Sequence, residues 1–284
     1  MYTFSSKLKT FSFILMAVGL LGIGYGFLTA PKDIQEVEKI LAADSHGSHG
    51  VAKHEESKSS HEANVASEVH ADAAVVAKEA AEHEEHLNHV LHQLQNKPWS
   101  ALYVACIFFL LISMGVLAFY AIQQVAQAGW SPVLFRVMQG ITSYLPVGSV
   151  LFFILLVLCG LHFNHIFVWL GEGVTDPKSV NYDEIIAGKA GYLNFPFWIV
   201  RAAVFLLGWN LYRYFSRKNC LAQDESTNDD FYKKNFKISA GFLVFFIVSE
   251  SIMSWDWIMS IDPHWFSTLF GWYVFASFFV SGIT

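Results

Sequence analysis

Ile238-Ser-Ala-Gly-Phe-Leu-Val-Phe-Phe-Ile-Val-Ser-Glu250-Ser-Ile-Met-Ser-Trp-Asp256-Trp-Ile-Met259 is long enough to cross a lipid bilayer, which takes about 20 largely apolar residues. It predicts a membrane span that carries two acids. Four further apolar runs precede it, at about Phe11–Leu28, Ala101–Gln123, Val147–Leu170 and Leu193–Leu211, the last containing Arg201. A sixth begins near Phe266 and is still apolar at Thr284, so at least six spans are expected, with a C-terminal part still to follow. The first run reads as a retained signal anchor. A cleavage site after Leu28-Thr29-Ala30 would have Leu where a small residue is wanted, and Pro31 follows it.

Composition agrees. Of 284 residues, 54% are apolar and only 15% charged, against about 25% charged in soluble proteins. Twenty-six Phe and nine Trp suit lipid contact and membrane interfaces. A net charge of −6 offers no basic surface, which argues against nucleic acid as a partner. The expected fold is an all-α integral membrane protein, a polytopic helical bundle. Residues 1–30 form a short N-terminus with its anchor helix, 31–97 a His/Glu/Ala-rich linker, and 98–284 the multi-span bundle.

Basic residues set the expected orientation. Lys7, Lys9, Arg136, Arg213, Arg217, Lys218, Lys233, Lys234 and Lys237 fall on one side. The 171–192 loop opposite has Glu172, Asp176, Asp183 and Glu184 against Lys178 and Lys189. The N-terminus is therefore expected in the cytoplasm and the 31–97 segment outside it. Nine of the twelve His lie between His46 and His92. His86, His89 and His92, three apart on a helix-forming stretch, would share one side and could ligate zinc or copper. The composition favours a solvated linker, partly disordered or helical, that returns to the membrane at Pro98 and Trp99.

Ionisable groups within spans cost roughly 2.5–3.5 kcal/mol each at a helix centre, so each needs a reason. At about 1.5 Å per residue, Arg201 would lie roughly 12 Å and Glu250 roughly 13 Å from the outer ends of their spans. A level Arg201–Glu250 pair is expected, either as a static ion pair or as part of a proton relay or quinone site. His162 and His165 would share one face of the third span, with Trp169 a turn beyond, in a hydrogen-bonding or proton-transfer role. Both approach from one helix, so they cannot hold a haem from opposite sides. Asp256, Asp262-Pro263-His264 and three Trp gather at the water boundary. They read either as a capped loop in an aromatic belt, with Asp262 capping the next helix, or as a proton exit or quinol headgroup site. Cys106, Cys159 and Cys220 match no iron–sulfur or covalent-haem spacing, so if the chain takes part in electron transfer, the redox centres belong to a partner or to a diffusible quinone.

Pro98-Trp-Ser-Ala-Leu-Tyr103, Gly115-Val-Leu-Ala-Phe-Tyr120, Ala128-Gly-Trp-Ser-Pro-Val-Leu-Phe-Arg136, Gly188-Lys-Ala-Gly-Tyr-Leu-Asn194 and Ser254-Trp-Asp-Trp-Ile-Met-Ser-Ile-Asp-Pro-His-Trp-Phe-Ser-Thr268 carry a further resemblance. From about residue 97 onward the chain resembles the second polysulfide-reductase-type (NrfD/PsrC-like) membrane subunit of alternative complex III. The resemblance implies a bacterial inner-membrane subunit, with residues 31–97 periplasmic, in a quinol:cytochrome c or quinol:oxidase oxidoreductase. Menaquinol or another quinol would be its possible ligand. Haem c and iron–sulfur clusters would sit in partner subunits, beside a homologous membrane subunit and a terminal oxidase. The subunit would contribute to quinol oxidation or a transmembrane proton path.

Two other classes remain open on the residues alone. One is a purely structural scaffold in such a complex. The other is a secondary transporter, against which stands the lack of a Gly/Pro-broken helix pair. No nucleophile or metal constellation points to an enzyme working alone.

Overall fold

Every stretch of regular structure among the described residues is helical. The computed structural model describes residues 5–47 and 68–284, and for residues 42–47, 68–86 and 89 the backbone alone. In order these are α1 (Ser6–Leu28), α2 (Ile34–Gly47), α3 (Glu68–Val125), α4 (Pro132–Ile141), α5 (Leu145–Gly160), α6 (Glu184–Lys189), α7 (Phe195–Glu225), α8 (Asp230–Trp257) and α9 (Phe270–Ile283). Five stretches are long and apolar enough to span a bilayer: Ser6–Leu28, Val90–Val125, Pro132–Gly160, Phe195–Glu225 and Asp230–Ile261. This is the architecture of a multi-pass helical membrane protein. Phe270–Ile283, in the region where the sixth span was expected to begin, is a further apolar helix of 14 residues.

By its internal contacts the chain divides, within α3, into Met1–Ser100 and Ala101–Thr284. In the first unit, Ser5 caps α1 by accepting the Leu8 N–H. No residue of α1 is buried, as expected of a helix made to face lipid all round. Gln95 donates to the Pro31 carbonyl at 3.2 Å, and the Phe27 and Trp99 rings meet edge to face at 4.9 Å. Pro98, expected with Trp99 to mark the return to the membrane, lies inside the continuous α3.

In the second unit, α7 and α8 form an antiparallel hairpin. Asn194 caps α7 through the Phe197 N–H, and Pro196 occupies the first turn, where a missing donor does no harm. At the far end, Tyr232 N–H and Gln223 Oε1 close the turn at 2.7 Å. Trp198, Trp209 and Trp257 are fully buried, and Trp257 packs on Phe152 of α5 at 4.8 Å. In lipid, such close packing and interhelical hydrogen bonds hold helices together, since acyl chains are as apolar as the side chains. α9 approaches α3 so closely that a Cβ on Gly115 would collide with the Phe278 carbonyl.

The third span is displaced from its expected place. It runs Pro132–Gly160, through a 3₁₀ turn at Thr142–Tyr144, rather than to Leu170. α5 ends in a Schellman motif: Phe163 N–H reaches the Leu158 carbonyl, His162 N–H reaches Cys159, and His162 takes a φ of +60°. Apolar content alone did not reveal that stop, because His162 rather than a Gly takes the left-handed position.

Candidate functional site

Where α7 begins and α8 ends, Arg201 meets Asp256. Arg201 Nε donates to Oδ2 at 2.7 Å and Nη2 to Oδ1 at 2.8 Å, a two-pronged grip that matches guanidinium to carboxylate. Asp256 is 0% exposed and Arg201 8%. Both terminal nitrogens of Arg201 also donate to the Tyr192 carbonyl at 3.3 Å. The rings of Tyr192 and Phe197 lie 4.1 and 4.2 Å from the guanidinium carbon, favourable cation–π contacts. Burial, and then the Asp256 carboxylate, push the Tyr192 phenol well above its ordinary value.

The same corner satisfies the last carbonyls of α8, which have no partners within the helix. Trp198 Nε1 and Ser260 Oγ both donate to the Asp256 carbonyl, at 2.9 and 2.6 Å. Tyr103 donates its hydroxyl to the Trp257 carbonyl at 2.7 Å.

Glu250 is not the partner of Arg201, contrary to expectation. Trp209 Nε1 donates to Ser249 Oγ at 2.9 Å, so Glu250 stands level with Trp209. Trp209 is eight residues, about 12 Å, along α7 from Arg201. The expected depths erred because α7 begins at Phe195, and because the corner draws Arg201 to the end of α8. Glu250 is 5% exposed. Its Oε1 is buried without a hydrogen-bond partner among the described residues, and its Oε2 lies 3.5 Å from Ser251 Oγ.

The remaining candidates separate. His264 Nε2 and Asp183 Oδ2 are 2.6 Å apart, and Lys189 Nζ donates to the Pro263 carbonyl, tying the 171–194 loop to the 262–269 loop. Asp183 also caps α6 through the N–H groups of Ile185 and Ile186. The Ile186 N–H above all, with His264 adding to it, holds the Asp183 carboxyl below its ordinary value. Asp262 accepts the His264 N–H at 3.2 Å and does not cap the next helix, which begins at Phe270. His162 and His165 follow the end of α5 as exposed loop residues, so they share no helical face. The side chains of His86 and His89 lie outside the described residues, whereas His92 is exposed and engaged. Among the described residues no cluster of three or more His, Cys, Asp or Glu is arranged to hold a metal ion.

A groove of about 410 Å³ opens at the Tyr192 corner, lined by Lys189, Tyr192, Trp255, Trp265 and Phe266 among others. Its size and aromatic walls suit a ring-bearing ligand.

Sequence reading missed a buried neutral cluster at the opposite end of the hairpin. The Tyr120 hydroxyl has Gln124 Nε2 at 3.0 Å, Ser216 Oγ at 3.1 Å, and Gln139 Nε2 and Asn235 Nδ2 at 3.3 Å. A cavity of about 250 Å³ lies against Gln124 and Asn235, and the Arg136–Asp224 ion pair borders it. The cluster draws two uncharged residues from α3 and one each from α4, α7 and α8, so no local pattern announces it. No family model and no curated protein matches this chain.

Proposed function

We propose that this chain is a membrane subunit of a quinol-oxidising redox complex, of the alternative complex III kind, in a bacterial inner membrane. Its N-terminus would be cytoplasmic and residues 31–97 periplasmic, with haem c and iron–sulfur centres in companion subunits. Oxidation of a quinol gives a quinone, two electrons and two protons. The electrons pass to a companion's redox centre, and this chain's part is to handle protons and help hold the ring.

The observation that carries the reading is Glu250, a carboxyl buried mid-span with an unpartnered oxygen and, among the described residues, no ion-pair partner. Such a group is costly in an apolar bundle and serves no ion pair, so a proton-carrying role accounts for it. The aromatic groove at Tyr192, at the Arg201 end of the same hairpin and not lined by Glu250, supports ring binding. A second reading, a scaffold subunit, is favoured by Arg201 and Asp256, whose bonds are satisfied within the chain.

The test is isolation of the native complex in mild detergent, with visible spectroscopy and identification of every subunit. Haem c absorbance carried by companions is the expected result. Purification of the chain without haem-bearing companions, with substrate flux in liposomes, would replace this reading with a transporter.

A further inference from the structure

On the α5-facing side of α7 runs a groove of about 520 Å³, walled by Pro146, Val150, Ile154, Ala203 and Leu207. Asn210 forms part of its lining and is fixed there, its Nδ2 donating to Ser149 Oγ at 2.8 Å and to the Leu206 carbonyl at 2.7 Å. Along α7 the groove extends from Ala203 to Tyr214, about 16 Å at 1.5 Å per residue. The hydrocarbon core is about 30 Å thick, so the groove is one leaflet deep. A docked transmembrane helix would need twice that length.

Arg213 closes one end of it. Its Nε is buried without a hydrogen-bond partner, and neither it nor Arg217, one turn further along α7, has an acidic partner among the described residues. Arg213 lies about 27 Å along α7 from Phe195, near the far boundary of the hydrocarbon, where a headgroup phosphate would sit.

We infer that this groove holds an acyl chain of an anionic phospholipid whose phosphate sits on Arg213 and Arg217. The walls give the chain an apolar bed, and the guanidinium donors match phosphate oxygens two at a time. Basic residues at the membrane surface attract anionic lipid by about fivefold in affinity each. The inference rests only on the membrane-spanning architecture and stands apart from the redox reading.

The full chain is placed in nanodiscs of equal parts phosphatidylcholine and phosphatidylglycerol and re-extracted into mild detergent. The retained lipid is then quantified by mass spectrometry. Wild-type protein is expected to retain phosphatidylglycerol in excess. That excess should fall about fivefold in Arg213→Gln and further in the R213Q/R217Q double variant. Ala203→Phe, which narrows the groove and spares both arginines, should release the lipid. Equal retention of the two lipids by the wild type would overturn the proposal, and that arm needs no variant to fold. So would an excess that survives R213Q/R217Q, or displacement of the lipid by inorganic phosphate alone. Recovery of a quinone in place of phospholipid from the native complex, lost on Ala203→Phe, would also overturn it.

Discussion

Arg201 and Asp256 are joined by two hydrogen bonds, of 2.7 and 2.8 Å, across the mouth of the α7–α8 hairpin, with both side chains withdrawn from solvent. Removing one partner strands the other charge, whereas removing both leaves none to strand. Asp256→Ala is therefore expected to cost about 3–5 kcal/mol, and the R201M/D256L pair much less. Thermal unfolding in detergent compares them, and equal losses would show that the pair is not what holds this corner.

Tyr120 sits among four polar neighbours that have few alternatives. Ser216 Oγ reaches Asn235 Oδ1 at 2.8 Å and so commits its one proton there. Tyr120→Phe would leave the Gln124 and Gln139 amides short of an acceptor. A loss of about 1–3 kcal/mol is expected in the same unfolding assay. No change would mean that the amides find other partners.

Gly115 lets α3 and α9 touch backbone to backbone. In Gly115→Val the new side chain would drive into the Phe278 carbonyl, which cannot rotate aside. The expected cost is about 1–3 kcal/mol, seen as earlier thermal unfolding or as faster proteolysis within α9.

The Asp183 carboxyl, held low first by the Ile186 N–H and then by His264, gives a pH dependence of definite sign. A carboxyl whose folded-state pKa lies below its unfolded value stabilises the fold fully above that unfolded value, about 3.9. The contribution is lost as pH falls through the depressed folded value. Hydrogen exchange at Ile185 and Ile186 should therefore accelerate below about pH 4 in the wild type. In Asp183→Asn the acceleration should be absent. A transition of equal size in the variant would assign it to another group.

The existence of the spans was readable because apolar length is a local property, and five such helices are present among the described residues, the third displaced to Pro132–Gly160. Side-chain pairing was less so. Depth counted along separate helices put Arg201 opposite Glu250, but the choice between Glu250 and Asp256 depends on where α7 begins and α8 ends. Asn194 and the turn after Trp257 set those two boundaries. His162 carried no stop signal because a residue other than Gly or Asn adopts the left-handed conformation that ends α5. The Tyr120 cluster was invisible for a related reason, since its members are up to 115 positions apart and none is charged.

The account turns on Glu250 as a proton carrier rather than a structural acid. Among the described residues it makes no ion pair, so Glu250→Gln should leave assembly and unfolding temperature unchanged. Quinol turnover and proton release by the isolated complex should fall on the order of a hundredfold, as expected when a proton-transfer group is removed. Proton release measured with a pH indicator during quinol oxidation, wild type beside Glu250→Gln, is the most direct test. Loss of release in a fully assembled complex is the predicted result, and undiminished release in the variant would contradict the account.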